Sequence, residues 1–166
     1  MKIRLHLLFF MFTFLVSHTG FTQEDYKDTK LVSTIFKALK KQDEKKVLKA
    51  LPTLADIKHL IPIVSAAQPD YKFPEADAIL AEFKMRTIED FKKASKKGTA
   101  FGVVWEDIEL KDVRYTSNPD PNVAIERGDF VMECISHDTS FLITMKKSSK
   151  IRGTWRLMNT LKFTLL

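Results

Sequence analysis

The last stretch of the chain, IRGTWRLMNTLKFTLL, alternates apolar and polar side chains from Ile151 almost to Leu166. In extended backbone, successive side chains point to opposite faces. Ile151, Trp155, Leu157, Leu161, Phe163 and Leu165 therefore share one face, while Arg152, Thr154, Arg156, Thr160, Lys162 and Thr164 share the other. One face is expected to meet water and the other a second layer of structure. The alternation far outruns a usual strand of ~5–6 residues, so strong twist, a bend or a bulge is expected within it. Asn159 has the parity of the apolar row and is expected to point inward. A buried amide there needs partners from backbone, water or ligand.

The second layer is legible upstream, where the period changes. From Tyr26 to about Ala100 the apolar spacing is helical, and from about Trp105 to the end it is mostly strand-like. Leu31, Val32, Ile35, Phe36 and Leu39 make one helical face. Asp43 can cap a short second helix, EKKVLKAL, that Pro52 ends. Thr53 and Asp56 resemble a capping box opening a third helix, with Pro62 expected to interrupt it. Pro74 suits the first turn of a fourth, whose face carries Ile79, Leu80, Phe83, Ile88 and Phe91 and which Gly98 or Gly102 is expected to end. Strand signals follow in WEDIELKDVRYTS, with a slip of phase near Asp112, then in FVMECIS, in FLITMKK and in the opening stretch. Helices followed by a meander predict an α+β fold: N-terminal helices on one face of a curved, cone-like, roughly four-stranded antiparallel sheet.

The first residues belong to neither layer. Lys2 and Arg4 precede an apolar run from Leu5 to Val16, and a polar stretch with small residues follows. That order is the one of a secretory signal peptide, and a run of about a dozen apolar residues falls short of the ~20 that span a bilayer. Residues 1–22 are therefore expected to be a cleaved signal and 23–166 a single exported domain, periplasmic or extracellular. Membrane contact is then expected only through the signal before cleavage; an uncleaved signal would make a signal-anchored envelope protein instead.

Removing Lys2 and Arg4 lowers the formal charge from +6 to +4, and the remaining lysines interleave with acids or fall at helix ends. That pattern describes solvated helix faces and argues against a nucleic-acid partner, which calls for a basic stripe with stacking aromatics. Cys134 is the only cysteine. No internal disulfide is possible, so the domain must be held by its core, and Cys134 is expected to be a small buried hydrophobe.

Three helices, a longer one closed by glycine and a meander ending on Gly153-x-Trp155-x-Leu157 resemble the nuclear-transport-factor-two-like or cystatin-like α+β superfamily. More narrowly, the signal, LPTLADIKHL, GVVW at residues 102–105 and GTWRL resemble small exported bacterial proteins whose activities are uncharacterised. The superfamily resemblance implies a cone that serves isomerases, dehydratases and cyclases as well as non-catalytic binding or assembly domains. The acid–base pairs such enzymes carry are not identifiable here, so no catalytic residue follows from it.

The residues themselves offer little chemistry. Cys134, His137 and Asp138 mix soft and hard metal ligands, but a closed zinc site wants four. His59 could be oriented by Asp56 one helical turn away, with no nucleophile motif beside it. Glu106, Asp107 and Glu109 flank Trp105 and are expected to be solvated. No phosphate-cradling loop, nucleophile elbow or metalloprotease motif occurs, so no cofactor or metal is expected. Trp105, Tyr115, Trp155 and Asn159 remain as pocket candidates, with core packing favoured for both tryptophans. The expectation is a non-enzymatic binding or assembly domain for a protein or a small apolar ligand. A small cavity enzyme of hydrolase or lyase type is the competing reading, and no oligomeric state is implied.

Overall fold

A computed structural model of the chain describes residues 26–166, so the expected signal segment lies outside the described residues. Helix α1, Lys30–Lys41, starts where the Thr29 hydroxyl accepts the Val32 N–H. It ends at Gln42, which takes a left-handed φ of 49° and lets the Asp43 N–H reach the Ala38 carbonyl at 2.9 Å. Asp43 then caps the short helix α2, Glu44–Val47, by accepting the Lys46 N–H at 3.0 Å. The predicted capping box is present at the head of α3, Leu54–Ala67: the Thr53 hydroxyl accepts the Asp56 N–H and the Asp56 carboxylate accepts the Thr53 N–H.

Pro62 does not interrupt α3, contrary to expectation; the helix continues to Ala67. Pro62 lacks the N–H that would donate to the Lys58 carbonyl, and both residues are exposed, so water can serve that carbonyl. Helix α4, Ala76–Ala100, closes at Gly102 rather than Gly98. Gly102 has φ 82°, and the bonds from Val103 N to Gly98 O and from Gly102 N to Thr99 O, both 3.0 Å, form a Schellman end. Gly98 sits inside the helix for another reason: a Cβ there would lie 2.3 Å from the Trp105 ring.

Five antiparallel strands follow: β1 Glu109–Ser117, β2 Arg127–Ser136, β3 Thr139–Ile151, β4 Thr154–Arg156 and β5 Leu161–Leu165. Strands β1, β2 and β3 are consecutive neighbours, and β3 pairs on its far side with both β4 and β5. The phase slip near Asp112 is a register shift between Leu110 and Asp112. His137 and Asp138 alone connect β2 to β3. The sheet is not closed into a barrel, and with the helices it forms the predicted α+β architecture.

The C-terminal stretch keeps the predicted facing but is not one strand. Ile151 ends β3, and Arg152 and Gly153, both at positive φ, make a two-residue hairpin turn into β4. Residues 157–159 leave the sheet, and the Thr160 carbonyl, accepting the Lys146 N–H at 3.1 Å, returns the chain to β3 just before β5 begins. Ile151, Trp155, Leu157, Leu161 and Phe163 are buried, whereas Leu165 is 38% exposed beside the chain end. Inward residues of β2, β3 and β5 meet α1 and α4 in the main core, with Phe130, Met132, Cys134, Phe141, Ile143, Met145, Leu31, Ile35 and Leu39 fully buried.

Candidate functional site

Strand β3 is paired to β2 along nearly its whole length, but its other edge is served in two pieces. Residues 141–145 pair with β5 and residues 149–151 with β4. At the junction the β2 pairing is also irregular: Gly128 opposes Ser148 while Phe130 opposes Met145. The extra length on β3 is a bulge around Lys147, which takes φ 52° and donates its N–H to the Asp129 carboxylate at 2.8 Å. Across from it, the Leu157 N–H turns to the Ala50 carbonyl at 2.9 Å, and the Leu161 N–H lies 3.3 Å from the Asp90 carboxylate. Both neighbours of β3 thus change register or direction at the same place.

A cavity of about 350 Å³ opens there. Leu60 and Val64 of α3 and Gln68 just past its end border it on one side, and Val123 and Ile125 of the β1–β2 connection on another. Met158 and Asn159, from the segment that leaves the sheet, complete the wall with Lys147 and Ser149 of β3. The connection is held in place by Arg127, whose Nε donates to the Asn118 carbonyl at 2.8 Å and whose Nη1 lies 3.2 Å from the Asp120 carboxylate. Arg86 of α4 also reaches the cavity and pairs with Glu82 one turn away on its own helix. The Lys147 ammonium and the amides of Gln68 and Asn159 make no side-chain hydrogen bond or ion pair among the described residues.

A second cavity, of about 250 Å³, lies on the other side of Leu60, Val64 and Met158, which line both. Its remaining walls are mostly apolar: Ile57 and Ile61 of α3, Ile79 and Phe83 of α4, and Tyr71, Phe73 and Pro74 between them. Tyr71 and Phe73 meet edge to face at 4.6 Å, and Tyr71 is still 57% exposed.

Of the four sequence candidates, only Asn159 lines this site. Trp155 is 6% exposed and packs edge to face on Phe130 at 4.9 Å and Tyr115 at 5.3 Å, with Tyr26 stacked on Tyr115. Trp105 is 7% exposed, meets Phe141 and Phe163 and donates its Nε1–H to the Ser95 carbonyl and the Thr99 hydroxyl. The two tryptophans anchor separate aromatic groups of the core.

Of the acid–base candidates, Glu106, Asp107, Glu109 and His137 border one open depression, while Cys134 and His59 lie elsewhere. Cys134 faces the core, where burial pushes its thiol up to about 12, with a smaller push from the Glu133 charge. His137 is exposed on the turn and pairs with Asp107 at 3.4 Å. His59 is exposed, and the Asp56 carboxylate turns instead to Arg156 at 3.0 Å and Arg152 at 4.0 Å. That depression, about 530 Å³, is lined by exposed Glu106, Asp107, Glu109 and His137 together with Lys40 and Lys111, and the Lys111 ammonium holds the Glu109 carboxyl below its ordinary value. No group of three His, Cys, Asp or Glu able to hold a metal occurs among the described residues.

Lys147, Arg127 and Met158 carried no signal in the sequence. A bulge residue at positive φ is usually betrayed by glycine, and this one is lysine. The fold defines a class, α+β with helices on an open antiparallel sheet. Beyond that class, searches against protein-family models, curated proteins and solved structures found no match.

Proposed function

We propose that residues 23–166 act outside the cytoplasm as a non-enzymatic binding domain whose ligand occupies the cavity at Asn159. The observation that carries this reading is the Asn159 amide, without a side-chain partner among the described residues, at the point where the sheet is interrupted on both sides of β3. Polar groups beside apolar walls, in a concavity of this size, are what small-molecule sites are made of. Among the described residues the wall of this cavity offers one carboxylate, Asp120, already paired with Arg127, whereas an acid–base mechanism needs two free titratable groups to converge.

Amide-detected NMR of the 23–166 domain with a panel of small apolar and weakly polar compounds tests the proposal. Perturbations are expected to concentrate at Val123, Ile125, Met158 and Asn159, and to weaken in Asn159→Ala at unchanged melting temperature. Perturbations gathered elsewhere, or none from the whole panel, overturn it. Export is tested by mass spectrometry of the protein recovered from its native host. Loss of Met1 to Thr22 is expected, and an intact N-terminus indicates a signal-anchored protein.

A further inference from the structure

Resting on that reading of the cavity, we infer that its ligand is a single-chain monocarboxylate amphiphile, its head beside Lys147 and Asn159 and its chain in the apolar trough under Tyr71 and Phe73. The inference begins with charge. Three cations border the first cavity, but Arg127 is matched by Asp120 and Arg86 by Glu82. Among the described residues Lys147 is the one cation of this lining left without an ion-pair partner, with the neutral amides of Asn159 and Gln68 as further donors. One spare positive charge plus neutral donors suits a head with one negative charge and two acceptor oxygens. A phosphate monoester carries close to two charges at neutral pH and calls for more cation than this site has free.

The chain follows from what adjoins that charge. Leu60, Val64 and Met158 form the shared wall between the polar cavity and the apolar one. Met158 is unbranched and flexible, so this wall can yield to let a chain pass from one to the other. Beyond it the trough offers Ile61, Ile79, Phe83 and the Tyr71–Phe73 pair, with Glu82 its only charged lining residue among those described, and that one is bound to Arg86. A head-only anion leaves this surface uncovered, and an uncharged chain leaves Lys147 unmatched. Adhesion to an anionic bilayer is the weaker alternative, because one spare lysine contributes only about 1 kcal/mol at such a surface.

Calorimetric titration of the 23–166 domain with dodecanoate below its micelle concentration, and with acetate, dodecanol and dodecyl phosphate, tests this. Dodecanoate is expected to bind at least about tenfold more tightly than each of the others, since a lost charge-assisted hydrogen bond is worth about that factor. Lys147→Met, which keeps the aliphatic stem, is expected to weaken dodecanoate about tenfold and leave dodecanol unchanged. Val64→Asp is expected to weaken both, with melting temperatures confirming that each variant is folded. Equal affinity for dodecanoate and dodecanol, or no effect of Lys147→Met, overturns the head assignment while the cavity reading stands. Preference for dodecyl phosphate, or binding only to anionic vesicles, overturns the ligand class. Dodecanoate perturbing amides remote from Asn159 removes the cavity reading itself.

Discussion

Asp56 shows how one side chain can hold two layers together. It closes the capping box of α3 and also faces Arg156 and Arg152, from β4 and the hairpin turn before it. Burial pushes its carboxyl up, but the Thr53 backbone N–H and hydroxyl, then Arg156 and Arg152, outweigh that push, and the net position lies below the ordinary 3.8. A lowered carboxylate stabilises the fold in full above its unfolded value and loses that contribution as pH falls through the folded value. Asp56→Asn is therefore expected to cost about 3 kcal/mol in urea unfolding at pH 7, with the gap to wild type closing below about pH 4. A pH-independent gap would show that the carboxylate's charge plays no part. Cys134 is a second test at this scale. Its buried thiol is expected to resist alkylation at pH 8 in the folded protein and to react at the ordinary rate in denaturant. Thr53, Asp56 and Asn159 were legible because a cap motif and a broken alternation are local patterns. Lys147 was not, since nothing next to it in sequence records that its partner strand slips by a residue.

Among the elements, α3 departs most from what its sequence suggests. A proline nine residues into a helix removes a hydrogen bond and crowds the preceding turn, at about 3 kcal/mol in a typical interior. Here the wet flank of α3 absorbs part of that, so Pro62→Ala is expected to stabilise the protein by about 1–2 kcal/mol in urea titration. A loss of stability would mean that the proline packs against something needed. In α4 the opposite substitution is unfavourable: Gly98→Ala places a methyl group against Trp105 and is expected to destabilise by about 2 kcal/mol despite the better helix propensity of alanine. Circular dichroism melts decide it, because a rise in midpoint would mean that the ring moves aside freely. Helix ends were readable from Asp43, Thr53 and Gly102, whose chemistry acts within one turn, whereas the Thr29 cap of α1 went unread. The division of the last stretch into β4 and β5 was hidden, because the alternation resumes in phase at Leu161 and nothing local records that the Leu157 N–H bonds to Ala50 in the helical layer.

Across the whole molecule, burial is uneven. The main core joins α1, the latter half of α4, β2, β3 and β5, whereas Ile57 and Leu60 of α3 are buried outside it. The second half of α3 and the connection to α4 hold no fully buried residue before Ala76. Amides of residues 61–75 are therefore expected to exchange with deuterium well before those of β2 and β3, as a local opening that spares the sheet. Exchange of both regions at one common rate would instead make the molecule a single cooperative unit.

The interruption beside β3 bears on how this protein can change over generations. Its borders come from chain that the main core does not use, so substitutions at Val64, Gln68, Val123, Ile125 or Asn159 cost little of the burial that keeps the domain folded. Selection can therefore retune what the site accepts almost independently of whether the chain folds. Relatives of this protein sharing its core pattern are expected to differ most from one another along that seam.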